Sequence, residues 1–166
     1  MLRLDRSLEG LDHVDFFNSD TSSAKDSAKA ERGGIVVIST VGSGVALDAS
    51  ENVVTYAADP SGKTPLGVLM QDVVNYDLTV RSANDHKQEV QTGGKVTVRD
   101  KCWVVTNWIF PGDTPTAGQT AYLQMSGYIS NTAGAAPADL NTPKIGRFLS
   151  TKDEDGYAKV ELNTVN

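Results

Sequence analysis

Two histidines and one cysteine supply all the imidazole and thiol chemistry in this 166-residue sequence. His13 and Asp15 stand two apart, so on a strand they would share a face and could relay a proton. No third partner lies within sequence reach. His86 sits in Asn84-Asp85-His86-Lys87, which reads as an exposed charged loop. Cys102 lies beside Trp103 in an apolar run and reads as a small core residue. Neighbouring Lys101 is the one feature that would favour a thiolate. A single cysteine excludes an intrachain disulfide framework and a Cys-based zinc cluster.

Two further motifs invite functional readings. Gly42-Ser43-Gly44 lacks the Lys-Ser/Thr of a phosphate loop and reads as a turn. No Gly-x-Ser-x-Gly elbow occurs. Asp153-Glu154-Asp155-Gly156 looks like a piece of a calcium loop. The alternating ligands, the twelfth-position Glu and the flanking helices are missing, so a hairpin turn is expected. No carboxylate pair, metal set or triad emerges. The sequence therefore describes a protein that binds and assembles, with neither an enzymatic role nor a cofactor expected.

The charge balance narrows the partners. The chain has 15 Lys+Arg against 21 Asp+Glu, a net charge of −6. That argues against nucleic acid and against an anionic membrane surface as partners. No apolar run approaches the roughly 18 residues of a membrane-spanning helix. Asp5, Arg6 and Glu9 interrupt the place where a secretory signal would need its apolar stretch. The protein is expected to work where it is made, or in a particle assembled there.

The elements that must carry any site are strands. The sequence holds 18 Val, 5 Ile and 15 Thr, side chains that suit a pleated, half-buried surface. Strands are expected at Ile35–Thr40, Val45–Leu47, Val53–Tyr56, Gly67–Val74, Leu78–Val80, His86–Gln91, Lys95–Arg99 and Cys102–Thr106. In the last of these Cys102 and Val104 take one face, Trp103 and Val105 the other. Ala121–Gln124 and Tyr128–Ser130 flank a hairpin at Met125-Ser126-Gly127. Ile145–Ser150 and Tyr157–Leu162 flank another, whose Asp155-Gly156 suits a tight turn. Thr132–Thr142 reads as a surface loop. Ten to twelve short strands with frequent turns and no βαβ rhythm predict a mainly β, single compact barrel or sandwich of antiparallel strands over residues 34–166.

Residues 1–33 differ in character. Leu2, Leu4, Leu8, Leu11, Val14, Phe16 and Phe17 form an apolar series. Asn18–Arg32 is polar, without an apolar face, and reads as a solvated spacer or a marginal exposed helix. Fully extended, that spacer could reach roughly 50 Å. Leu4, Leu8, Leu11, Phe16 and Phe17 are therefore expected to dock on a partner or a sister copy, the alternative being that the arm folds back to cap its own barrel. With the arm docked, removing residues 1–17 would leave the domain's melting temperature nearly unchanged. Trp108-Ile109-Phe110 runs straight into Pro111-Gly112. For the aromatic group Trp103, Trp108, Phe110 and Tyr122 core packing is the plain reading; the alternative, taken here for Trp108 and Phe110, is a subunit interface, since aromatic residues dominate such contacts.

From Gly33 onward the chain resembles the capsid cement, or decoration, proteins of tailed bacteriophages. The resembling segments are Gly33-Gly-Ile-Val-Val-Ile-Ser39, Thr64-Pro-Leu-Gly-Val-Leu-Met70 and Gly93-Gly-Lys-Val-Thr-Val98. Pro111-Gly-Asp-Thr-Pro-Thr-Ala-Gly118 then leads into Ala121–Ser130, and Lys144-Ile-Gly-Arg-Phe-Leu149 pairs with Asp155–Leu162. The resemblance covers residues 33–163 and leaves out the arm and spacer. It implies a virion protein on the outside of the head, bound to the major capsid protein at subunit junctions and stabilising the shell. It also implies sister copies around the lattice axes, a trimer ahead of a dimer. Two other readings compete: a tail-tube or tail-tip subunit, and a small-ligand or carbohydrate-binding barrel.

Overall fold

The computed structural model describes residues 2–7, 13–18, 29–39, 53–74, 89–134 and 142–164. Among them the regular elements are strands, apart from a 3-10 turn at Met125–Gly127. In chain order the strands are β1 (Leu2–Ser7), β2 (His13–Asn18), β3 (Lys29–Ala30), β4 (Ile35–Ile38) and β5 (Val53–Thr55). Next come β6 (Pro65–Leu69), β7 (Asp72–Val74), β8 (Glu89–Gln91), β9 (Lys95–Arg99) and β10 (Lys101–Thr106). The last are β11 (Thr120–Leu123), β12 (Ile129–Ser130), β13 (Lys144–Phe148) and β14 (Ala158–Asn163). The expected strands at Val45–Leu47 and Leu78–Val80 lie outside the described residues. The fold is mainly β, as the Val, Ile and Thr content required.

Three sheets form. A six-stranded sheet runs β1-β10-β14-β13-β11-β12, a closed five-stranded barrel runs β2-β5-β4-β6-β9, and a small sheet runs β3-β7-β8. Most pairs are antiparallel, while β2–β5 and β7–β8 are parallel. The single strand expected over Gly67–Val74 is divided into β6 and β7. At the break, Met70 N donates to the Thr97 carbonyl at 3.1 Å and Thr97 N to Gln71 Oε1 at 3.0 Å. The chain is thus handed from the barrel to the small sheet.

Strand alternation generates two cores. On β10, Cys102, Val104 and Thr106 are buried while Trp103 and Val105 are half-buried. The buried face joins Leu123, Ile145, Phe148, Val160 and Leu162, and packs against Ile35, Val37 and Val68 from the outside of the barrel. The opposite faces of the barrel strands supply Val36, Val54, Leu69, Val96 and Val98 to a second cluster. A closed barrel of this size is filled by its own side chains. Gly146 in the Ile-Gly-Arg segment marks a close backbone approach: a Cβ there would lie 1.9 Å from the Glu161 carbonyl oxygen on β14.

The N-terminal strands belong to this framework. β1 pairs with β10 from Leu2↔Thr106 to Ser7↔Cys102, and β2 pairs with β9 from His13↔Arg99 to Phe17↔Lys95. Leu2–Ser7 thus lies along β10 in one sheet and His13–Asn18 along β9 in the other. The change in composition at residue 33 therefore does not coincide with a boundary between sheets. The end of the polar spacer is likewise incorporated: Lys29–Ala30 pairs with β7, and Ala30 is buried. Residues 19–28 lie outside the described residues.

These pairings reverse the expected effect of truncation. Deleting residues 1–18 removes the strand that bridges β5 and β9, and should cost at least about 2 kcal/mol, or roughly 4–8 °C in melting temperature. Deleting residues 1–12 removes only the edge strand β1 and should cost less. Thermal unfolding followed by circular dichroism checks the order. Gly146→Ala should destabilise by about 1–3 kcal/mol through forced separation of β13 and β14.

Candidate shell interface

The expected apolar patch at Trp108–Phe110 is resolved residue by residue. Trp108 is 0% exposed and belongs to the chain's own core. Ile109, also buried, points into the other cluster and bridges to Ile129. Phe110 is half-buried against the barrel-side cluster. An extended backbone sends successive side chains to opposite sides, so a three-residue apolar run can serve two cores at once. Trp108 is accordingly corrected from interface anchor to core residue.

The indole has good reason to be inside. Its Nε1–H donates to the Arg32 carbonyl at 3.1 Å, and its backbone N–H donates to Thr106 Oγ1 at 3.1 Å. Its ring centroid lies 5.1 Å from Tyr56 and 5.0 Å from Tyr128, both tilted. Phe110 meets Tyr128 edge-on at 6.1 Å. Tyr56 Oη–H donates to the Glu31 carbonyl at 2.5 Å. Gly34 and Gly127 make room for the Tyr56 ring, and a Cβ on Gly127 would lie 2.5 Å from its Cδ1. Gly127 has φ of +79° and Ser126 of +55°, so the hairpin tip folds its left-handed turn over the ring. Burial pushes the Tyr56 hydroxyl well above its usual range; a backbone hydrogen bond at Gly34 opposes it, and the lesser effects of the Asp72 and Glu31 charges add to it. Burial and then Glu31 raise Tyr128.

The other sequence-derived site residues fall as follows. Leu4 stands in register with Val104, Phe16 with Val96, and Phe17 with Lys95 and Val53. Leu8 and Leu11 lie outside the described residues. The large apolar side chains left exposed among the described residues are Ile38, at the end of a barrel strand, and Met125, at the hairpin tip. Met125 was legible as a turn residue flanked by two strands, but not as an exposed one. The Cys102 thiol is buried. No group of three His, Cys, Asp or Glu able to hold a metal occurs among the described residues.

The described residues thus form a β body of two cores joined through an internal aromatic cluster. The model of the structural cement protein family, described by E217 gp24 and Pam3 gp6, matches residues 14–163, and the chain belongs to that family. It is a phage structural protein and part of the virion capsid. The match begins at Val14, inside β2. The family pattern thus takes in the barrel strand and spacer that the resemblance over residues 33–163 left out. No curated protein matches the chain.

Two measurements check the aromatic lock. Trp108→Ala should destabilise the isolated protein by about 3–5 kcal/mol, the cost of emptying a core site; an interface residue would leave its melting temperature unchanged. Tyr56 and Tyr128 have folded-state pKa values raised above the unfolded value, so their contribution is complete below pH ~10 and declines as the pH rises further. Melting temperature should be insensitive to these two groups up to pH ~9 and fall beyond pH ~10. Tyr56→Phe should lower stability by about 1 kcal/mol at neutral pH and flatten that alkaline fall.

Proposed function

We propose that this chain binds the outer surface of the assembled head, at junctions between major capsid subunits, and stabilises the shell against internal DNA pressure. Family membership across residues 14–163 carries the proposal. The physical construction supports it. Two packed cores and a closed barrel resist deformation, as a clamp between shell subunits must. The net charge of −6 suits a protein that need not touch the packaged DNA. The role is structural, without catalysis. Assembly with the shell takes place in the host cytoplasm.

The contacts we propose for the shell and for sister copies draw on Phe110, on the N-terminal residues Leu4, Leu8, Leu11, Phe16 and Phe17, and on the exposed Met125. Trp108 acts from inside by holding Phe110 and the hairpin tip in place. Copies of the chain gather about a lattice axis, a trimer ahead of a dimer.

Heads lacking this protein, mixed with purified full-length chain, should acquire it on their outer surface in a cryo-EM reconstruction. They should then release DNA at a higher temperature than bare heads. Met125→Asp should lower occupancy at limiting protein without changing the protein's own melting temperature. Density on the tail alone, or decorated heads no more robust than bare ones, would overturn the reading.

A further inference from the structure

The outer face of the six-stranded sheet has a charge opposite to the rest of the protein. Lys101, Lys144, Arg147 and Lys159 alternate with the buried residues of β10, β13 and β14 and are half-buried or exposed. The acidic residue of this face is Glu161. It is engaged internally, with Arg147 Nε on one oxygen and Trp103 Nε1 at 3.3 Å on the other. Lys159 Nζ lies 5.6 Å from the centre of the Trp103 ring, a cation–π arrangement that holds the ammonium over the face. Among the described side chains, four basic ones and one acidic one therefore line this sheet face, against 15 basic and 21 acidic residues in the whole chain.

The matching anion is on the same chain. The β13–β14 hairpin ends in Asp153, Glu154 and Asp155, all exposed. The tip is built to hold its shape: Asp153 Oδ1 accepts from Tyr157 N at 2.7 Å, and Gly156 N donates to the Asp153 carbonyl at 3.0 Å. The adjacent cation, Lys152, is directed elsewhere and donates to the Asp113 carbonyl at 2.7 Å.

We infer that the basic face of the six-stranded sheet is a docking surface for the acidic β13–β14 tip of a second copy. This deepens the reading that sister copies meet on the shell. The contact joins two different surfaces, so it is heterologous and closes only where a rotation closes it, as around a lattice axis. Opposite charge guides the encounter and makes it dependent on ionic strength.

Sedimentation of the full-length protein, without heads, tests it. Self-association should weaken at least about tenfold between low salt and ~1 M salt, where the Debye length is ~3 Å. Lys101→Glu with Lys144→Glu reverses the face, and Glu154→Lys with Asp155→Lys reverses the tip. Each pair alone should abolish the salt-dependent association, with circular dichroism unchanged. Mixing the two variants should restore it, because each then supplies the surface that the other needs. Wild-type protein that stays monomeric at every salt concentration, reversed variants that associate like wild type, or a mixture that fails to associate would overturn the inference. Wild-type decoration of bare heads under the same conditions would leave the shell-binding reading standing in each of those cases.

Discussion

Three consecutive backbone carbonyls hold this structure together. Glu31, Arg32 and Gly33 accept hydrogen bonds from Tyr56 Oη, Trp108 Nε1 and Thr106 Oγ1 respectively. The donors come from beyond β5, from β10 and from the segment that follows it. The carbonyls belong to the stretch that delivers the chain into β4. Arg32 N adds a bond to Asp72 Oδ1 at 2.7 Å, and Gly33 N one to the Leu69 carbonyl at 2.9 Å. Barrel, small sheet and six-stranded sheet are thus all fastened to one three-residue strap. Each of these polar groups would cost about 1–3 kcal/mol if buried without its partner. The aromatic cluster is assembled around this strap.

The consequences reach the surface. Trp108 sits between Tyr56 and Tyr128, so the hairpin tip that follows β11 cannot move independently of the barrel. Ser126 N reinforces this by donating to the Ala57 carbonyl at 2.6 Å. Met125 is therefore presented from a turn held at both its ends. The role proposed for this chain is to transmit load between neighbouring shell subunits. A body whose exposed tip is coupled to its core through hydrogen-bonded aromatic rings suits that task better than a tip on a loose loop.

The segregation of charge has a related logic. Sheet alternation places β10, β13 and β14 residues of one parity in the core and those of the other parity outside. The outward positions can then be basic at no cost to packing. Within the row, Glu161 lies between Arg147 and Trp103 in register and tempers the repulsion among the cations.

Much of this was legible before any coordinates. The β-branched content, the turn residues at Met125-Ser126-Gly127 and Asp155-Gly156, and the two faces of Cys102–Val105 depend on local chemistry and on a period of two. Those properties belong to the sequence itself, and they led to a mainly β fold and to the cement resemblance. The destination of Trp108 was not legible. An apolar run before Pro-Gly looks exposed until the Arg32 carbonyl, 76 residues away in the chain, receives its indole proton. The N-terminal strands were equally hidden, because their partners on β9 and β10 are some eighty to a hundred residues distant and extended pairing leaves no local trace. The basic face was written in scattered lysines and an arginine of three strands, and only their sideways register made it one surface. Residue type and spacing determined which segments extend and which turn. Long-range hydrogen bonding decided which of them meet, since it depends on where distant carbonyls and donors come to lie.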